Sequence, residues 1–244
     1  MNTLVSAFIS NINNRNLNKY YELGKLLLKT TLPKVIFVDI AMYNLIQEED
    51  YDESITKLIV VDKSFLYMYD YADQLENFNL NTDNKEKDTI DFMFMMCGKT
   101  EWINRAITLN YFNTDHFIWL DFGIRHVFKC SDDEFIEKIN NMKYKTYDKI
   151  RVGRIWDLNI DYIKFYNYNI YKDILWYFAG GVFGGNKISL IQFTDLVRFY
   201  CIDTMVNHNT IMWEVNIWYF AYNYNKNIFN PYLCDHNDSI CDNY

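Results

Sequence analysis

Three short apolar runs, each closing on a carboxylate, limit what this chain can fold into more than any other feature. Val35-Ile36-Phe37-Val38 ends on Asp39, Thr56 to Val61 on Asp62, and His116 to Leu120 on Asp121. Short runs of β-branched and aromatic residues read as strands buried on both faces. Between them, Leu17 to Lys29 (closed by Pro33) and Ala41 to Gln47 carry apolar residues at helical spacing. With Leu4 to Ser10 as an opening strand, the order is strand, helix, strand, helix, strand. A mostly parallel sheet with covering helices produces that order.

The rest of the chain extends this pattern. Asn77 to Asp88 is polar, without periodicity, and reads as a loop. Helices are expected over 89–96 and 100–109, and strands over 149–155 and 174–178. The second of these strands runs into Ala179-Gly180-Gly181-Val182-Phe183-Gly184-Gly185, a passage from strand to loop where backbone meets a bulky ligand. Helices over 189–206 and 210–223 close the fold. No repeat or linker divides the chain, so residues 1–244 are expected to form one α/β domain, with a mostly parallel mixed sheet flanked by helices.

Composition narrows the function classes. The chain has 244 residues, 50% of them hydrophobic and only two prolines, which suits one well-buried core. Its net charge is −8 and its lysines and arginines are scattered, which argues against nucleic acid as the main partner. No apolar run is long enough to span a membrane, and no basic leader precedes an apolar stretch, so a cytoplasmic setting is expected. Five cysteines at irregular spacing make no disulfide framework. Cys234, His236 and Cys241 resemble half a zinc set, but without a second pair they read as free thiols and a surface histidine.

The chemistry-bearing residues lie where the strands end. In an open α/β sheet, ligands sit outside the carboxyl ends of strands, and Asp121 stands at such an end. Gly123, two positions on, lets backbone approach a ligand. A carboxylate here either holds a divalent cation on a diphosphate or caps the following turn. Asp121-Phe122-Gly123 is not the kinase motif, because no glycine-rich loop or catalytic loop accompanies it. Gly180 to Lys187 is not a phosphate loop, because its lysine comes one residue late and no Ser or Thr follows it directly. Lys99 opens a helix that holds Asn104, and either reaches a phosphate or is solvated. Glu214, between large apolar residues, is either a partly buried base or part of a solvated helix face.

At these residues the chain resembles a known family. LVSAFISNINNRNLNKYYELGKLLLKTTLPKVIFVD, MMCGKTEWINRAITLNYFNTDHFIWLDFGIRH, WYFAGGVFGG and MWEVNIWYFAYNYNKNIF are similar, in order and spacing, to segments of the bacterial HtrL/YibB and WlaTC glycosyltransferase family. The resemblance implies a GT-A fold and a nucleotide-sugar donor, of UDP type, with a glycan acceptor. It implies that Ser6, Ala7 and Asp39 line a nucleoside pocket, and that Lys99 and Asn104 face the donor phosphates or sugar. Gly180 and Gly181 would flank the sugar, and Glu214 would act as base on the acceptor. Asp121, with His126 or His236, would hold Mn²⁺ or Mg²⁺. The implied process is surface-polysaccharide or glycoprotein-glycan synthesis.

The chain departs from the family in two places. Gly123 replaces the second acid of Asp-x-Asp, and Trp213 replaces the acid before Glu214. These departures leave two alternatives open: a catalytically inactive nucleotide- or glycan-binding relative in a glycosylation assembly, and a phosphoryl or nucleotidyl transferase.

Overall fold

The structure is a computed structural model and describes residues 1–10, 12, 16–157 and 169–244. Of the polar break over 11–16, residues 11 and 13–15 lie outside the described residues. The opening run forms β1 (Asn2–Phe8), and the acid-closed runs form β2 (Lys34–Val38), β3 (Thr56–Val60) and β4 (His116–Leu120). β1 pairs in parallel with β2 and β4, and β2 in parallel with β3. All four strands therefore deliver their carboxyl ends, and with them Asp39, Asp62 and Asp121, to one edge.

Three later strands complete a seven-stranded sheet of order β3-β2-β1-β4-β6-β5-β7. They are β5 (Ile150–Arg154), β6 (Phe178–Asn186) and β7 (Phe229–Leu233). β6 runs antiparallel to both β4 and β5, while β5 and β7 are parallel. One expectation is corrected here. The strand placed over 174–178 starts only at Phe178, and the glycine-rich run forms the strand itself. Two of its glycines are required by contact: a Cβ on Gly184 would meet the Tyr244 hydroxyl at 2.2 Å, and one on Gly185 the Lys149 carbonyl oxygen at 2.8 Å.

Helices cover both faces of the sheet. On one side lie α4 (Ile90–Cys97), α5 (Lys99–Leu109), α7 (Lys187–His208) and α8 (Glu214–Tyr224), packed on Val5, Phe37, Trp119 and Phe183. The short α3 (Met68–Ala72) buries Met68 in the same cluster. On the other side α1 (Leu17–Gly24), α2 (Ile40–Ile46), α6 (Asp132–Asn140) and α9 (Ser239–Asp242) pack on Leu4, Ile36, Ile118 and Val182. Neighbouring strand residues thus feed opposite cores, as a period of two requires. Among the described residues, no helix is long and apolar enough to cross a membrane.

Lys34 is an unexpected core residue. It is fully buried at the start of β2, its ammonium donating to the Thr30 carbonyl at 2.8 Å, and burial pushes its amine down to about 8. An unfolded lysine titrates near 10.4. From about pH 8 to 10 the unfolded chain therefore holds the Lys34 proton that the folded chain has released. The penalty for burying the charge is full below pH 8 and fades as pH rises. Buried thiols pull the opposite way over the same range, so the readout is a difference between proteins. Urea melts should show Lys34→Met losing about 2 kcal/mol of stability relative to the native chain between pH 8 and pH 10. A pH-independent difference would contradict this.

Candidate functional site

Asp121 leaves the end of β4 with its backbone N–H bonded to the Gly181 carbonyl at 2.9 Å. Val152 pairs with Phe183 and Arg154 with Phe178, so two steps along β5 span five along β6. The excess falls on residues 179–182, a bulge that turns the Gly180 and Gly181 carbonyls to new partners. Gly181 takes the Asp121 N–H, and Gly180 takes the Lys99 ammonium at 3.0 Å.

Lys99 and Glu214 are each the first residue of a helix, α5 and α8. A helix start favours the Glu214 carboxylate. The Lys99 side chain is 1% exposed, and its Nζ lies 3.0 Å from Asp121 and 3.0 Å from Glu214 Oε1. With the Gly180 carbonyl, these partners use all three ammonium hydrogens. Burial alone would lower the lysine pKa, but the two carboxylates outweigh it and hold the ammonium above its ordinary value. Glu214 Oε2 is also buried and has no hydrogen-bond partner among the described residues. A lone buried carboxylate oxygen at a cavity wall is an acceptor waiting for a donor.

That wall belongs to a cavity of about 610 Å³ lined by Lys99, Asp121, Gly180, Gly181, Glu214 and His236, with His126, Trp176 and Trp213. Seven residues singled out from sequence, His126 among them, thus meet in one place. His126 follows β4, its Nδ1 2.5 Å from the Gly123 carbonyl oxygen, and His236 lies edge-on to the Trp176 ring at 5.4 Å. Burial, and after it the charge of His126, lowers the His236 pKa, against the pull of Asp235 and Asp121. Asn84, Glu86 and Lys87 of the polar loop form part of the outer wall.

Two smaller cavities continue the groove along the sheet edge. One, of about 50 Å³, is lined by Ala7, Ile9, Ile12, Trp119 and Asp121; the next, of about 300 Å³, by Ile9, Ser10, Ile12, Asp39 and Lys63. Shared residues join the three into one path.

Ser6 and Asn104 line none of these three cavities. The Ser6 hydroxyl is fully buried and donates to the Leu120 carbonyl at 2.6 Å. Asn104 sits five residues beyond Lys99, about 140° around the helix from it. Asp39 has partners of its own: it caps α2 through the Met42 N–H at 2.9 Å and accepts from the Ser10 N–H at 2.7 Å and from the Ser10 hydroxyl.

A divalent metal at Asp121, as the resemblance implies, would have to compete with donors that the chain itself supplies. The Trp119 indole donates to Asp121 Oδ1 at 2.6 Å and Lys99 to Oδ2 at 3.1 Å, so both carboxylate oxygens are engaged. A Cβ on Gly123 would lie 2.6 Å from the Tyr20 ring, so the space for a second acid is already filled. Among the described residues no three His, Cys, Asp or Glu side chains group as metal ligands. Sequence reading missed Trp119 and Tyr20. The first had a signal, since residues two apart on a strand share a face; the second, brought in from α1, had none.

The glycine at 180 is bound to this geometry. A Cβ there would stand 2.5 Å from Glu214 Oε1. Gly180→Ala is therefore expected to drive Glu214 off Lys99 and to cost about 1–3 kcal/mol, read as a lowered melting temperature. An unchanged melt would mean that Glu214 moves aside freely.

No family model and no curated protein matches the chain. Among solved structures it is similar to mouse xyloside xylosyltransferase 1 (TM-score 0.50, 12% identity, covering 95% of this chain and 84% of that one). It is also similar to the galactosyltransferase LgtC bound to donor and acceptor sugar analogues (TM-score 0.46, 13% identity, 88% and 68% covered). At such identities the likeness speaks for the fold alone. The chain has the GT-A fold: one α/β domain with a seven-stranded mixed sheet between helices.

Proposed function

We propose that the chain is a glycosyltransferase that moves a hexose from a UDP-sugar to a glycan hydroxyl. The observation that carries this reading is the unpartnered Glu214 Oε2, buried at the wall of the main cavity. The xylosyltransferase and galactosyltransferase with similar folds support the reaction class, and the resemblance to the HtrL/YibB and WlaTC family supports a glycan acceptor.

The nucleoside lies along the small cavities at Ala7 and Asp39, and the diphosphate beside Asp121, His126 and His236. The sugar lies beside Gly180 and Gly181, which line the main cavity. Glu214 Oε2 takes the proton of the acceptor hydroxyl while that oxygen bonds to the anomeric carbon. The bond from that carbon to the diphosphate breaks, and its electron pair leaves with the diphosphate. An imidazole N–H of His236 meets the leaving oxygens. No step passes through a metal. The reaction is placed in the cytoplasm, in surface-glycan synthesis, with residues 1–244 as one catalytic domain.

A panel of nucleotide sugars, assayed for released nucleoside diphosphate, tests this. Release from at least one UDP-sugar is expected, accelerated by an acceptor sugar. No release from any would contradict the proposal. One observation favours a second reading, an inactive binding relative: Lys99 holds both candidate carboxylates at once. Nucleotide binding without turnover would select it.

A further inference from the structure

The two carboxylates of the cavity share a cation that the chain itself supplies. We propose that the Lys99 ammonium permanently fills the cation position of this site, so that the chain engages a diphosphate ligand without a divalent metal. The inference rests on the nucleotide-sugar reading only for the identity of the ligand.

The geometry carries it in three ways. First, Nζ sits among an Asp121 oxygen, Glu214 Oε1 and the Gly180 carbonyl, each about 3 Å away. An all-oxygen nest of two acids and a carbonyl is what a hard divalent cation would seek, and here it is closed around an ammonium. Second, the lysine has nowhere else to go. It enters from the first turn of α5 with 1% of its side chain exposed, so a metal taking its place would strand a buried charge. Third, Gly123 and the Tyr20 ring leave no room for the second acid that would help a metal compete. A divalent ion placed beside the ammonium would meet like charge with only one formal negative charge left over.

Lys99 then has a definable job. It holds Asp121 and Glu214 at fixed positions, and it keeps Glu214 Oε1 occupied while Oε2 is left buried without a partner. It acts through these carboxylates rather than on the ligand, which makes it a positioning residue.

The test is a Mn²⁺ titration followed by electron paramagnetic resonance, with no nucleotide present, on the native chain, Lys99→Ala and Lys99→Ala/Asp121→Asn. The native chain is expected to leave the spectrum of free Mn²⁺ unchanged. Lys99→Ala, which vacates the nest, is expected to bind Mn²⁺ and to melt at a higher temperature with it, and the double variant to lose both effects. If Lys99→Ala does not fold, Lys99→Ser, which also empties the nest, takes its place, and the native titration still decides.

Mn²⁺ binding by the native chain that disappears in Asp121→Asn would overturn the proposal. So would a folded Lys99→Ala protein that takes up none. UDP calorimetry supplies a second arm: affinity should agree within about twofold between chelator and Mn²⁺, and a gain of about tenfold or more with Mn²⁺ would overturn the proposal. If UDP fails to bind in either condition, the nucleotide-sugar reading falls, while the Mn²⁺ titration still judges this one.

Discussion

Glu214→Gln is expected to cut turnover of the preferred nucleotide sugar by about 10²–10⁴-fold, the range that a positioned general base contributes. Donor affinity should change little, because the side chain keeps its volume and can still accept a hydrogen bond from Lys99 through its amide oxygen. The second oxygen, Oε2, is the atom that matters. It is buried and unpartnered on a residue that lines the cavity, and in glutamine that position carries N–H donors unable to take a proton. Steady-state kinetics on both proteins check this: the loss should fall on kcat, with KM nearly constant. A variant that retains most of its kcat would mean that another group takes the acceptor proton.

Lys99→Met should have the largest effect on stability. Removing one partner from a buried ion network leaves the others uncompensated, at a cost of about 3–5 kcal/mol. Here two carboxylates and the Gly180 carbonyl lose their donor together, and the Glu214 side chain is only 7% exposed. Denaturant melts at neutral pH measure the loss. Asp121→Asn and Glu214→Gln should each cost less than Lys99→Met, because either leaves the ammonium one acid partner. A loss below about 1 kcal/mol in Lys99→Met would place the lysine among exposed ion pairs, against the geometry described here.

Much of the fold could be read in the chain because β1, β2 and β4 are buried on both faces, while β3, at the sheet edge, is half exposed. Such strands show as unbroken apolar runs, and the acids that close them mark the sheet edge where ligands sit. Asp39 and Asp121 were legible in this way. The meeting of Lys99, Gly180 and Glu214 was not a matter of pattern, since more than 100 residues separate Lys99 from Glu214. It entered through the resemblance, and the packing of two helix starts against a bulged strand accounts for it.

What stayed hidden depends on three-dimensional neighbours. The glycines of β6 look like a loop because glycine weakens a strand, yet here the strand needs them where Tyr244 and Glu214 press on it. Lys34 lies just before the apolar run of β2, and only its three-dimensional neighbours bury it. α6 shows a Ser131 capping box with Glu134 that sequence reading passed over, although the signal was present. Asn104 was carried over by likeness, and helix rotation takes it away from the cavity.

The chain has four histidines, and the cavity contains two of them, His126 and His236, while His116 and His208 lie elsewhere. Titrating UDP into the protein, in chelator, while following the four imidazole signals by NMR therefore tests the donor site directly. Saturable shifts are expected at His126 and His236, with His116 and His208 unmoved. No shift at either cavity histidine, or shifts confined to His116 and His208, would contradict the donor site.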